Sequence, residues 1–255
     1  MGISATIDPR GIATLTIDNA AKLNTLGSGL MASLVAEADA LAQCRDLRAV
    51  VLRGAGERAF IGGADITEMA ALNQTTARAF ITLVHQSCEA LRRIPVPVVA
   101  RLQGYTLGAG LEIAASCDLR LAADDARFGM PEVRIGIPSV VEAALLPGLI
   151  GWGRTRRLLL SGETIDAPQA LAWGLVEEVV PSDELDAAIE RVVASILACG
   201  PRAVRLQKDL IRTWECCSPA DAIERGIESF VCAWDTDEPA QRMVAFIAAM
   251  RGRKR

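Results

Sequence analysis

Residues 104–118, GYTLGAGLEIAASCD, set Gly104, Gly108 and Gly110 around an approach to Glu112, an acid among Leu111, Ile113, Ala114 and Ala115. An ionised carboxylate is costly to bury unpaired, so an acid in such company is a candidate for chemistry. A second bare stretch lies upstream, AFIGGADITEM at 59–69, where Gly62, Gly63 and Ala64 precede Asp65, a good N-cap for ITEM. Backbone N–H groups at a turn of small residues form an electropositive nest for an anion or a developing oxyanion. Gly108-Ala109-Gly110 offers the same at the start of its own helix. Two nests can give two donors to one oxygen, an oxyanion hole, where losing one donor costs roughly 3 kcal/mol of barrier. Glu132, in RFGMPEVRIGIP between Pro131 and Val133, is a second acid. A pair of acids can divide proton work, one orienting and deprotonating a water while the other supplies a proton. Without chemistry, the glycines serve tight turns and close packing, Glu112 is a first-turn acid, and Glu132 is half of a surface ion pair.

Other chemistries find less support. GAGERA at 54–59 has the outline of a dinucleotide fingerprint, but Phe60-Ile61-Gly62-Gly63 follows it where a helix must open. The sole histidine, His85, sits mid-helix in FITLVHQSCEAL, and a chain with one histidine argues for a structural or surface role there and against a metal site. No G-x-S-x-G elbow is present, and Cys216-Cys217 read as helix packing.

The elements that must position these residues follow from periodicity. GIATLTID alternates, with Ala13, Leu15 and Ile17 on one side and Thr14 and Thr16 on the other, as a half-buried strand does. SGLMASLVAEADALAQC runs at helical spacing, LRAVVLRG is a short apolar strand, and Thr75 to Arg93 is a second amphipathic helix. Pro95 and Pro97 end that helix and lead into the strand VVARL. An apolar helix starts near Gly108 and the strand CDLRLAA follows. Strands alternating with helices imply an α/β core with parallel pairing over residues 1–181. Beyond Pro181 strand signals stop and 182–255 reads as helical. Ser182 is a plausible N-cap, and Leu185, Ile189, Val192, Val193, Ile196 and Leu197 form one stripe. Pro201 and Pro219 open two further helices and Pro239 lies in the first turn of the last.

Composition narrows the partners. A chain of 255 residues, 51 % hydrophobic and 23 % charged, has the make-up of a large globular domain. A net charge of −4 and a pI near 5.2 argue against nucleic-acid or anionic-membrane binding. The tail RGRKR is a local exception, a solvated end or a phosphate contact across a subunit boundary. No apolar run approaches the ~20 residues of a membrane span, and MGISATIDPRG lacks the marks of a leader. Seven cysteines without CxxC spacing suit reduced core thiols in the cytoplasm.

Taken together, these motifs resemble the crotonase superfamily, the enoyl-CoA hydratase/isomerase family. AFIGGADITEM is similar to its AFxxGADxxEM stretch, GYTLGAGLEIAASCDLRLA to GxxxGxGxELxxxCDxxxA, and ARFGMPEVRIGIP to AxFxxPExxxG. SGETIDAPQALAWGLVEEVVP and DEPAQRMVAF extend the similarity over nearly the whole chain. The resemblance implies a spiral of ββα turns followed by a helical trimerisation region, with trimers often pairing into hexamers. It implies an acyl-CoA thioester substrate, no separate cofactor and no metal. By position, Ala64 and Ala109 become the two amide donors to the thioester oxygen, and Glu112 and Glu132 the two catalytic glutamates of the hydratases. Gly62, Gly63, Asp65, Ile66, Gly108 and Ser139 fall around the acyl group, and Lys22 and Leu23 near the nucleotide end of CoA. On this reading water adds at C3 and C2 takes a proton relayed through a glutamate, with Glu132 preferred.

Two departures stand out. Gly108-Ala109 replaces the usual Gly-Gly, which keeps the amide but adds a methyl group. Ser139-Val140-Val141-Glu142 replaces a glycine-rich turn, leaving acyl preference open; Glu142 reads first as a helix-start acid and second as a catalytic one. Within the family, a Δ3,Δ2-enoyl-CoA isomerase is the alternative, since one glutamate can shuttle its proton. An RNA-binding or inactive relative fits poorly with the acidic pI and the retained glutamates.

Overall fold

The computed structural model describes residues 2–252; the basic-tail expectation at Arg253, Lys254 and Arg255 lies outside them. The chain runs β1 (Gly2–Ile7), β2 (Ile12–Asp18), α1 (Ser28–Ala42), β3 (Ala49–Gly54), β4 (Ala59–Ile61), α2 (Ile66–Met69) and α3 (Gln74–Arg93). It continues with β5 (Val98–Leu102), β6 (Tyr105–Leu107), α4 (Ala109–Ala115), β7 (Leu119–Ala123), β8 (Arg127–Gly129), α5 (Leu146–Ser161), β9 (Thr164–Asp166), α6 (Ala167–Trp173) and β10 (Glu178–Val180). Four helices close it: α7 (Leu185–Ala198), α8 (Pro201–Trp214), α9 (Pro219–Ala233) and α10 (Glu238–Gly252).

Two sheets carry the α/β core. The larger has the order β1-β2-β3-β5-β7-β10 and the smaller β4-β6-β8-β9. Consecutive strands β3/β4, β5/β6 and β7/β8 therefore each give one strand to either sheet, and each pair is followed by helix before the next begins. That is the spiral of ββα turns. Pairing is parallel along β2-β3-β5-β7-β10, as the alternation of strands and helices requires; β1 is an antiparallel addition that sequence periodicity did not reveal.

The alternation in β2 sorts its residues as expected. Ala13, Leu15 and Ile17 enter the main core with α1, α3 and α4, while Ile12 joins a second cluster with Val51, Val99 and Leu121 on the other face. There α7 buries Leu185, Ala188, Ile189 and Val193, and Val192, Ile196 and Leu197 pack at its edge. Ser182 is not the cap of this helix. The chain enters through a 3-10 turn at Ser182–Glu184, so α7 begins three residues later, and the Ser182 hydroxyl donates to Asp124 Oδ1 at 3.1 Å instead.

Of the seven unpaired cysteines, Cys88 and Cys117 are buried; Cys199, Cys216 and Cys232 are exposed on this chain, so the thiols are only partly a core feature. The GAGERA segment leads straight into β4, which confirms that no helix opens after it. Among the described residues, no helix is long and apolar enough to cross a membrane.

The helix that carries Glu112 lies hard against the smaller sheet. A Cβ on Gly110 would come within 2.2 Å of the Ile61 carbonyl oxygen and 2.8 Å of its Cβ. Because that obstacle is backbone, Gly110→Ala has to push α4 away from β4, and overpacking of this kind costs about 1–3 kcal/mol. The expected result is a lower denaturant midpoint with an unchanged m-value; an unaltered midpoint would mean that α4 moves freely.

Candidate active site

Three parallel strand ends build the site. β4, β6 and β8 are hydrogen-bonded neighbours, Ile61 pairing with Thr106 and Leu107 with Gly129, so their C-terminal ends emerge side by side. The first delivers Gly62-Gly63-Ala64, the second Gly108-Ala109 and the helix bearing Glu112, and the third Pro131-Glu132. Residues far apart in the chain thus converge on one cavity of about 930 Å³. Its walls include Gly62, Gly63, Ala64, Ile66, Gly108, Ala109, Glu112 and Glu132.

Both proposed donors follow a glycine in the left-handed region, Gly63 at φ +115° and Gly108 at φ +52°. Such angles are cheap only for glycine, and they turn the next amide out of the strand direction. Among the described residues, neither the Ala64 nor the Ala109 N–H has a partner within the chain; Ala109 opens α4, where an amide is left without an intrahelical acceptor. Gly108 is constrained a second time, because a Cβ there would lie 2.5 Å from Glu132 Oε1.

The two glutamates sit in different surroundings. Glu112 is 4 % exposed and receives one hydrogen bond, from the Ala143 N–H to Oε1 at 3.2 Å. Burial, then the charges of Glu132 and Glu142, push its carboxyl up to about 8 against the pull of that N–H. Glu132 is half-buried in a 3-10 turn (Pro131–Ile135), and its Oε2 accepts from the Ser139 hydroxyl at 2.8 Å. It is not the exposed ion-pair acid of the bland reading; none of the ion pairs among the described residues involves it.

Of the remaining expected contacts, Leu23, Lys22, Asp65 and Ser139 lie behind or beside the cavity wall. Gly62 N–H donates to the Leu23 carbonyl at 2.8 Å, and Lys22 Nζ stands 3.7 Å from Asp65 Oδ2 at the rim. Asp65 caps α2 as expected, accepting from the Thr67 and Glu68 amides. Sequence reasoning missed the apolar wall from α2, α3 and the connection between them, namely Met69, Leu72, Phe80, Ile81 and Val84. Its signal was present in the helical spacing of the last three, but the same spacing serves an ordinary core. Glu142 does open a short 3-10 turn (Val141–Leu145), yet it is 7 % exposed and its Oε1 lies 2.6 Å from Nδ1 of the half-exposed His85. His85 is thus a structural partner on the helix surface. No cluster of three or more potential metal-ligating side chains occurs among the described residues.

An arrangement with two amides unpaired among the described residues in the wall of one cavity, and a buried carboxyl that keeps its proton beside a second acid, can hold an oxyanion while moving protons to and from a water. Residues 8–247 match the family described as Enoyl-CoA hydratase/isomerase. The chain is 35 % identical to the short-chain-enoyl-CoA hydratase of Clostridium acetobutylicum over 237 residues, 92 % of this chain and 91 % of that protein. It is 31 % identical to the crotonyl-CoA hydratase of Syntrophomonas wolfei over the same shares. A crystal structure of an enoyl-CoA hydratase from Bacillus anthracis superposes with a TM-score of 0.93 at 29 % identity, covering 97 % of this chain and 96 % of the other.

The raised carboxyl has a consequence for stability. Below the ordinary value of 4.5, Glu112 is neutral whether the chain is folded or not, and its contribution is fully present. As pH climbs towards 8 the unfolded chain ionises while the folded one must hold its proton, so stability is lost across that window. Glu112→Gln, which cannot ionise, should gain stability relative to the parent between pH 5 and 9 in paired thermal melts. Parallel curves would mean that Glu112 titrates as an ordinary acid.

Proposed function

Because the chain belongs to the enoyl-CoA hydratase/isomerase family, we propose that this cavity takes the acyl part of a 2-enoyl-CoA thioester and that Glu112 and Glu132 manage the added water. The chain is an enoyl-CoA hydratase by its relationships; the assignment of residues is our reading. It is carried by one observation, the convergence of the Ala64 and Ala109 amides with both glutamates on the same cavity.

The thioester oxygen sits between the two amides, which draw electron density from the double bond and make C3 electrophilic. Water held between the carboxyls adds at C3 as its proton passes to a glutamate. The enolate charge collects on the oxygen between the amides, where fixed dipoles stabilise it without reorganising. C2 then takes a proton from the pair. Burial holds the Glu112 carboxyl up to about 8, so it keeps its proton near neutral pH, and the proton that water gives up on adding at C3 can reach C2 through Glu132, the preferred donor. All atoms of water end in the product and nothing is oxidised, so no redox cofactor is needed, and the two amides supply the carbonyl polarisation that a Lewis acid would otherwise give, CoA being part of the substrate.

Lys22 and Leu23 stand at the rim beside Asp65, where the nucleotide end of CoA would lie. The helical region supports self-association into a trimer or hexamer: Ile223, Ile227 and Phe230 on α9, Trp234 just past its end, and Val244 and Phe246 on α10 are all more than half exposed on the single chain. The unpaired cysteines suit a reducing compartment, the cytoplasm, and the chemistry suits fatty-acid metabolism.

Crotonyl-CoA consumption, followed at the enoyl-thioester absorbance, tests this reading. The parent chain should turn over, Glu112→Gln and Glu132→Gln should each lower kcat by about 10²–10⁴-fold, and kcat/KM should fall as pH rises past about 8 and the pair loses its proton. Conversion of a 3-enoyl-CoA to conjugated product without hydration would make the chain an isomerase instead.

A further inference from the structure

Residues 139–143 reach both acids in succession. The Ser139 hydroxyl donates to Glu132 at 2.8 Å and the Ala143 N–H donates to Glu112 at 3.2 Å. Between them Val140 lines the cavity, and Val141 is held at φ +39°, in the left-handed region that a β-branched residue rarely enters. Such a conformation persists only where neighbours over-determine it. Neither bond needs the side chain of Glu142, which turns to α3 and meets His85 Nδ1 at 2.6 Å. Its other oxygen is buried with no hydrogen-bond partner. An acid that merely opened a short helix would face water; one buried with a single partner is costly unless the contact is used.

We propose that Glu142, latched to His85, is a positioning residue that pins segment 139–143 to α3, so that Ser139 and Ala143 hold Glu132 and Glu112 on the same water. The inference rests on those two glutamates being the reacting pair. It also explains why the strained Val141 is kept, since relaxing that residue would carry the flanking hydroxyl and amide off the two carboxyls together.

The charge on Glu142 acts in the same place. The acids facing Glu112 are Glu132 from the Pro131–Ile135 turn and Glu142 from the Val141–Leu145 turn; from α3, Cys88 stands near Glu112 and Glu142, and His85 touches Glu142. Burial and the two neighbouring carboxylates raise Glu112, so neutralising position 142 lowers it.

Three substitutions in the full chain test the latch with crotonyl-CoA as substrate. Glu142→Ala should lower kcat on the order of tenfold or more with KM within about twofold, because binding is kept and the water is misplaced. His85→Ala, on the exposed side of α3, should lower kcat in the same direction by a few-fold, about 3–5. Glu142→Gln keeps an oxygen for His85 and should retain most of kcat, while the alkaline limb of kcat/KM moves down by about one pH unit. If Glu142→Ala fails to fold, the other two decide. Parental kcat and an unmoved limb in both would overturn the latch, as would losses of KM and thermal midpoint at constant kcat. Glu112→Gln run alongside separates the readings: turnover that survives it sinks the assignment of the pair, whereas turnover abolished there and indifferent at positions 142 and 85 sinks only the latch.

Discussion

Glu112 occupies a place where almost no water reaches it, and the molecule around it can be understood as what that placement demands. A carboxyl with one amide donor and two acids for neighbours is pushed up to about 8 because burial first, and those neighbours second, disfavour its ionised form. The fold supplies this environment by packing α4 on the backbone of β4, where Gly110 leaves no room for a methyl group. α3 covers the cavity from the other side with Phe80, Ile81 and Val84. A buried acid that keeps its proton beside a second carboxyl is equipment for taking a proton from water and returning one to carbon.

The smaller sheet does the assembling. Its strands are only three residues long, yet their parallel pairing brings to one edge the two amides, the helix with Glu112 and the turn with Glu132. The left-handed glycines then re-aim the chain at the ends of β4 and β6, each leaving the following amide without an acceptor among the described residues. Unpaired amides in an apolar cavity are a standing cost, which an oxyanion bound there, as proposed above, would relieve. The larger sheet and α7 contribute rigidity: buried Val51, Val99 and Leu121 meet Leu185, Ile189 and Val193 across the far face.

Much of this was legible without coordinates. Long elements with clear periods, α1, α3, β2, β5 and α7, follow from side-chain spacing because each buries one face or both against a large core. The cost of burying a bare carboxylate singled out Glu112, and Asp65 announced itself as a cap through its residue type and place. Other features were not accessible in this way. β4, β6 and β8 are too short to show a period, and β1 pairs antiparallel at an edge where its alternation is weak. Ser182 looked like a cap because the preference for serine is local, whereas the entry of the chain into α7 is set by packing and by Asp124 across the sheet edge.

By itself the sequence determined which residues could do chemistry and what kind, since residue type and the expense of burying charge among apolar neighbours are properties of the chain. Only the tertiary structure decided which of those residues meet. Amides at 64 and 109 and carboxyls at 112 and 132 converge because three strand ends lie side by side, a consequence of sheet order that no local pattern encodes. Glu142 makes the same point from the opposite side: beside Val141 it reads as an ordinary helix-start acid, and only the approach of α3 gives it His85 and a place in the site.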